Sequence, residues 1–153
     1  MTLYRKFGNA LAVLVCIAMA VMCVVFVITN GVSTVDADKG EVIYFYEKAT
    51  FQGYLFVALS FWVSVIANIC AVELSQISTG ISLLPLVMTF YEMAVGNMNF
   101  VVAAIVLLLA LIHVASNAIA WHDQRAAKAK DEVAMNADAG GVESDAESAA
   151  DAK

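Results

Sequence analysis

Among its 153 residues the chain has one proline, Pro85, and two histidines, His113 and His122. Its three cysteines, Cys16, Cys23 and Cys70, all lie inside apolar runs and form no C-x-x-C pair. Cys16 and Cys23 are seven residues apart on one helix, about 10 Å along its axis, which is too far for a disulfide. A dithiol redox centre is therefore excluded, and small apolar packing is the expected role of the thiols. H-E-x-x-H, G-x-S-x-G and Walker A motifs are missing, as are Cys-His metal clusters, so the chain is read as no enzyme and as holding no metal or cofactor. The histidines cannot face each other across a haem, because His122 follows His113 by nine residues, on the opposite side of the same helix. Nucleic-acid binding has no support either. Net charge is −6, and eight of the fourteen acids (Asp123, Asp131, Glu132, Asp138, Glu143, Asp145, Glu147, Asp151) lie beyond the last apolar run.

What is abundant is apolar sequence: 62% of the residues are hydrophobic and the mean hydropathy is +0.82. Soluble domains hold about 45–50%. Four runs are long enough to cross about 30 Å of hydrocarbon. They cover about 8–29, 51–72, 77–95 and 100–121. The predicted fold is thus an all-α integral membrane protein, four transmembrane helices in an up-down bundle spanning residues 8–122. Residues 1–7 form a short polar N-terminus. The first run is longer than a signal-peptide core and is read as a retained span.

Between the first two spans lies a polar connection, 30–50. Its segment Glu41–Glu47 has strong β propensity, and Tyr44, Phe45, Tyr46, Phe51 and Tyr54 suit a membrane–water interface. After Asp123 the periodicity fades. Residues 123–153 are read as a tail, helical for one or two turns through Lys130 and disordered beyond Asn136, where alanine, glycine, serine and acids dominate. Arg5, Lys6, Arg125, Lys128 and Lys130 flank the ends, against Lys39 and Lys48 in the 30–50 loop. Lysine and arginine bias sets orientation, so both termini are expected in the cytoplasm. The expected location is the cell membrane, crossed several times; in a bacterium this is the inner membrane.

The third span carries the most polar residues. Ser75, Ser78, Thr79, Ser82, Pro85, Thr89, Glu92 and Gly96 fall on one half of a helix, a stripe that has to avoid lipid. Ser60, Ser64 and Asn68 repeat on the second span, and His113 and Asn117 on the fourth. Counted from the span ends, Asn68 matches Asn117 in depth and Ser64 matches His113. A seam of Ser64, Asn68, Ser82, His113 and Asn117 is therefore expected, as hydrogen-bonded packing or as the lining of a polar cavity or proton path. Glu92 stands apart, near the other end of its span. Glu73 is read as a polar helix end.

Two functions fit this pattern. The first is an accessory, scaffold or assembly subunit of a membrane complex, or a homo-oligomer, whose partners are the bilayer and other membrane subunits or copies of itself. The alternative is a small ion- or proton-coupled transporter or channel using Glu92 and His113. Small multidrug transporters share the outline of four short helices, but their essential glutamate lies in the first helix, where this chain has none. No family is assigned.

Overall fold

A computed structural model describes residues 3–71 and 76–150, with side chains described as far as 136. Ser75 and Glu73 lie outside the described residues. The elements run in the order α1 (Leu3–Asn30), β1 (Ser33–Val35), β2 (Val42–Tyr44), a 3-10 turn (Phe45–Glu47), α2 (Ala49–Cys70), α3 (Gln76–Ile81), α4 (Leu84–Ala94) and α5 (Phe100–Ala150). Four helical stretches are long and apolar enough to cross a membrane: Leu3–Asn30, Ala49–Cys70, Gln76–Ala94 and Phe100–Asn136.

α1 begins five residues earlier than the charge-free run predicts and so includes Arg5. Its 28 residues measure roughly 42 Å, longer than the hydrocarbon needs. The third span is two helices rather than one. Pro85 has no N–H to offer the carbonyl of Ile81, and its ring crowds that carbonyl, so the backbone turns at Ser82 and Leu83. There the Leu83 amide reaches back only three residues, to Gly80 at 3.1 Å. α4 then ends in a Schellman cap. Gly96, at φ +79°, lets the Asn97 amide reach the Glu92 carbonyl (3.0 Å) and its own amide reach Met93 (3.2 Å). α5 follows at once, with the Asn99 side chain capping the Val101 amide at 2.9 Å.

Buried positions recur at alternating steps of three and four residues. On α1 they are Arg5, Gly8, Ala12, Val15 and Met19. On α2 they are Tyr54, Val57, Phe61, Ser64 and Asn68. On α5 they are Ala103, Val106, Ala110, His113, Asn117 and Ala120. Ser78, Ser82, Pro85, Thr89 and Glu92 keep the same rhythm across the break between α3 and α4. A mean step of 3.5 holds one seam of a helix against its neighbours, as knobs-into-holes packing requires. α2 is the central element, packed on α1, α3 and α4. Leu14, Ile17, Val24, Leu108 and many other large apolar side chains point outward.

The 30–50 connection is a β-hairpin, pairing Ser33 with Tyr44, Thr34 with Ile43 and Val35 with Val42. The Asp36 carboxylate accepts the Asp38 amide at 2.9 Å and so shapes the turn. Below the strands Phe45 meets Phe51 edge-on at 4.9 Å, and Phe51 lies 6.2 Å from Phe26. These rings tie the hairpin to the adjoining ends of α1 and α2. Tyr44 and Tyr46 stack 5.5 Å apart on the outside.

Residues up to Ala120 form one compact unit and Trp121–Lys153 a second. α5 is helical to Ala150, where composition predicts disorder beyond Asn136. Alanine, which recurs through this stretch, has the highest intrinsic helix propensity.

Candidate functional site

The polar side chains of α1, α2 and α5 meet near the Arg5 end of the helices. His113, fully buried, is the hub. Its Nδ1 lies 2.9 Å from the Gly8 carbonyl oxygen. A carbonyl can only accept, so Nδ1 carries the proton, and Nε2 of the neutral ring becomes an acceptor. Two donors reach it: the Ser64 hydroxyl at 2.7 Å and the Asn117 amide nitrogen at 3.3 Å. With its nitrogen committed there, Asn117 turns its oxygen to Asn68 Nδ2 at 3.2 Å. The second hydrogen of that nitrogen goes to Asn9 Oδ1 at 3.1 Å.

Local sequence makes this convergence possible. His113 and Asn117 are one turn apart on α5, and Ser64 and Asn68 likewise on α2. Gly8 lets α1 close on α5: a Cβ there would stand 3.1 Å from the Ser116 Cβ and 3.7 Å from His113 Nδ1. Phe61 closes the hub on the hairpin side, its ring 6.1 Å from the imidazole.

Arg5 is buried beside this cluster. Its Nη2 donates to the carbonyls of Asn68 and Ala71, at the end of α2, where helical carbonyls lose their intrahelical partners. A cation there also complements the negative pole of the helix dipole.

Ser82 does not join the seam. It is buried, but its hydroxyl returns to the Thr79 carbonyl at 2.6 Å. The turn imposed by Pro85 frees carbonyls nearby, and a short hydroxyl side chain bonds them locally. Thr89 does the same, reaching the Pro85 carbonyl at 2.7 Å.

Glu92 occupies a separate site towards the hairpin end. It is 2% exposed, and its Oε2 accepts from Asn97 Nδ2 at 2.6 Å. Facing it from α2 is Gly53, where a Cβ would stand 3.2 Å from that oxygen and 3.1 Å from the Asn97 Cβ. Buried apolar residues, among them Val57, Phe61, Val106 and Ala110, occupy the stretch of seam between Glu92 and His113. The clefts between α1 and α5 are lined almost wholly by apolar side chains such as Val15, Met19, Ile105 and Leu109 on one half and Phe7, Ile112 and Ile119 on the other.

Protein-family models, curated proteins and solved structures were compared with the chain, and none matches.

Of the five residues expected to form one seam, four are mutually hydrogen-bonded: Ser64, Asn68, His113 and Asn117. Arg5, Gly8, Asn9, Gly53 and Asn97 are site residues that reading by spans passes over. A signal for three of them was present. Arg5, Gly8, Asn9 and Ala12 share one face at helical spacing, although Arg5 precedes the charge-free run and Gly8 and Asn9 open it.

Proposed function

We propose that the chain is a multi-pass protein of the cell membrane, an up-down four-helix bundle with both termini cytoplasmic, that acts by association and not by catalysis. In this reading it is an accessory, scaffold or assembly subunit of a membrane complex, or a homo-oligomer. The observation that carries it is the engagement of His113: both ring nitrogens are taken up inside the protein, by Gly8 on one side and by Ser64 and Asn117 on the other. A group so occupied joins helices, which leaves apolar outer faces and the exposed Tyr44–Tyr46 stack as the surfaces on offer to a neighbour. Such polar contacts between membrane helices contribute about 0.6 kcal/mol each on average.

A second reading is supported by Glu92. A carboxylate 2% exposed inside a span is the kind of group that couples ions or protons in small transporters and channels. One experiment separates the two: native-nanodisc extraction with cross-linking mass spectrometry, run beside flux assays on the same protein in liposomes. Association predicts a stoichiometric neighbour, either another subunit or a second copy, that persists in Glu92→Gln. Solitary chains, with a flux abolished by Glu92→Gln and His113→Ala at normal abundance, would establish transport instead.

A further inference from the structure

Among the described residues, three buried side-chain atoms at the Arg5 end of the helices have no hydrogen-bond partner: Arg5 Nε, Asn9 Nδ2 and Asn68 Oδ1. Their residues are 4%, 8% and 0% exposed, so bulk solvent does not serve them. They belong to one cluster. Asn68 and Asn9 are joined side chain to side chain at 3.1 Å, Arg5 donates to the backbone carbonyl of Asn68, and Arg5 and Asn9 are one turn apart on α1.

Reversing amides does not remove the mismatch. Asn117 is held by His113, whose Nε2 needs its nitrogen as a donor. Turning Asn68 would then set its oxygen against the Asn117 oxygen. Turning Asn9 as well would repair the Asn9–Asn68 contact but leave Asn68 Nδ2 and Asn9 Oδ1 as new orphans. Each arrangement leaves donors and acceptors together, and buried polar groups of this kind are satisfied in native proteins.

The identity of these atoms selects the ligand. Arg5 Nε and Asn9 Nδ2 donate, whereas Asn68 Oδ1 accepts. An anion would suit the two donors but meet the Asn68 oxygen. A cation would suit that oxygen but meet a guanidinium. Water both accepts and donates, so it complements each of the three, and a buried water with about three polar partners is an ordinary structural component. We propose that Arg5, Asn9 and Asn68 form a buried water-binding site. The bound water extends the hydrogen-bonded chain of Asn68, Asn117, His113 and Ser64 to Arg5, giving a hydrated pole at one end of the core and a dry apolar section between it and Glu92. The site does not depend on whether the protein acts by association or transport.

The test is water-edited solid-state NMR on the full chain, isotopically labelled, in liposomes of deuterated lipid. Water magnetisation should reach the Cβ signals of Asn9 and Asn68 several-fold sooner than that of Ala120. Ala120 is the control because it is fully buried and lies three residues beyond Asn117, nearer the same end of α5. If either asparagine lags with Ala120, no water is bound there. If Ala120 rises together with them, the whole end is wetted and a localised site is overturned as well.

Discussion

The Ser64 hydroxyl lies 2.7 Å from His113 Nε2, linking helices whose residues are 49 positions apart in the chain. The direction of that bond follows from the other face of the ring, where Nδ1 meets the Gly8 carbonyl at 2.9 Å. A backbone atom of α1 thus decides the tautomer, and the tautomer decides that α2 and α5 supply donors.

Nitrogen-15 NMR of the imidazole checks this directly. In lipid, His113 should show a protonated Nδ1 and an unprotonated Nε2, with Nδ1 coupled to the Gly8 carbonyl. The opposite tautomer would require Ser64 and Asn117 to present acceptors and would overturn the assigned network.

Asn68 serves two acceptors at once, Asn9 and Asn117. Asn68→Leu removes both bonds, strands two amide oxygens and forces a branched side chain into a fully buried position. The expected cost is about 1–3 kcal/mol. Val63→Leu is the matched control, because Val63 is 46% exposed on the outer face, where lipid accepts either residue. Reversible unfolding in mixed micelles should separate the two variants clearly; equal stability would mean that the polar contacts contribute nothing.

Two glycines of similar helical setting should respond oppositely to alanine. At Gly53 a Cβ would meet Asn97 and Glu92 at 3.1–3.2 Å, so Gly53→Ala should push α4 from α2 and cost about 1–3 kcal/mol. At Gly80 nothing among the described residues stands within 4 Å of such a Cβ, and Gly80→Ala should be neutral or gain up to about 1 kcal/mol of helix propensity. Thermal stability in detergent measures both. A tolerated Gly53→Ala would show that Glu92 is not held tightly against α2.

Orientation is tested from both ends. A reporter fused after Lys153 should report cytoplasm, and Lys39→Cys, in the hairpin turn, should react with membrane-impermeant thiol reagents from outside. Finding both positions on the same side would refute the four-span arrangement. Arg5 enters here too. Its guanidinium is held by the end of α2, so replacing Lys6 should weaken the orientation signal with little effect on stability, whereas replacing Arg5 should reduce stability as well.

Much of the fold was legible because a lipid-crossing helix leaves a simple trace: length, absence of charge and a polar stripe turned inward. The depth match of Asn68 with Asn117 and of Ser64 with His113 was legible for a related reason. Antiparallel spans of similar length place equal counts from their ends at equal height. Ser82 could not be resolved this way, because its neighbour Pro85 alters the local backbone and the hydroxyl finds a nearer carbonyl. For the tail, composition shows how little can be buried and so points to disorder, whereas alanine favours helix without burial.

The sequence by itself determined four apolar stretches, the residues that could serve as polar contacts and the relative heights of most of them. These are properties of one helix at a time, set by periodicity, hydropathy and the fixed rise per residue. Only the tertiary structure decided which atoms meet. That α1 supplies Arg5, Gly8 and Asn9 to the cluster, that a glycine carbonyl selects the tautomer of His113, and that Gly53 leaves room for Glu92 all depend on close approach between helices. Such contacts turn on a few tenths of an ångström at a particular face, and no pattern within a single span encodes that distance.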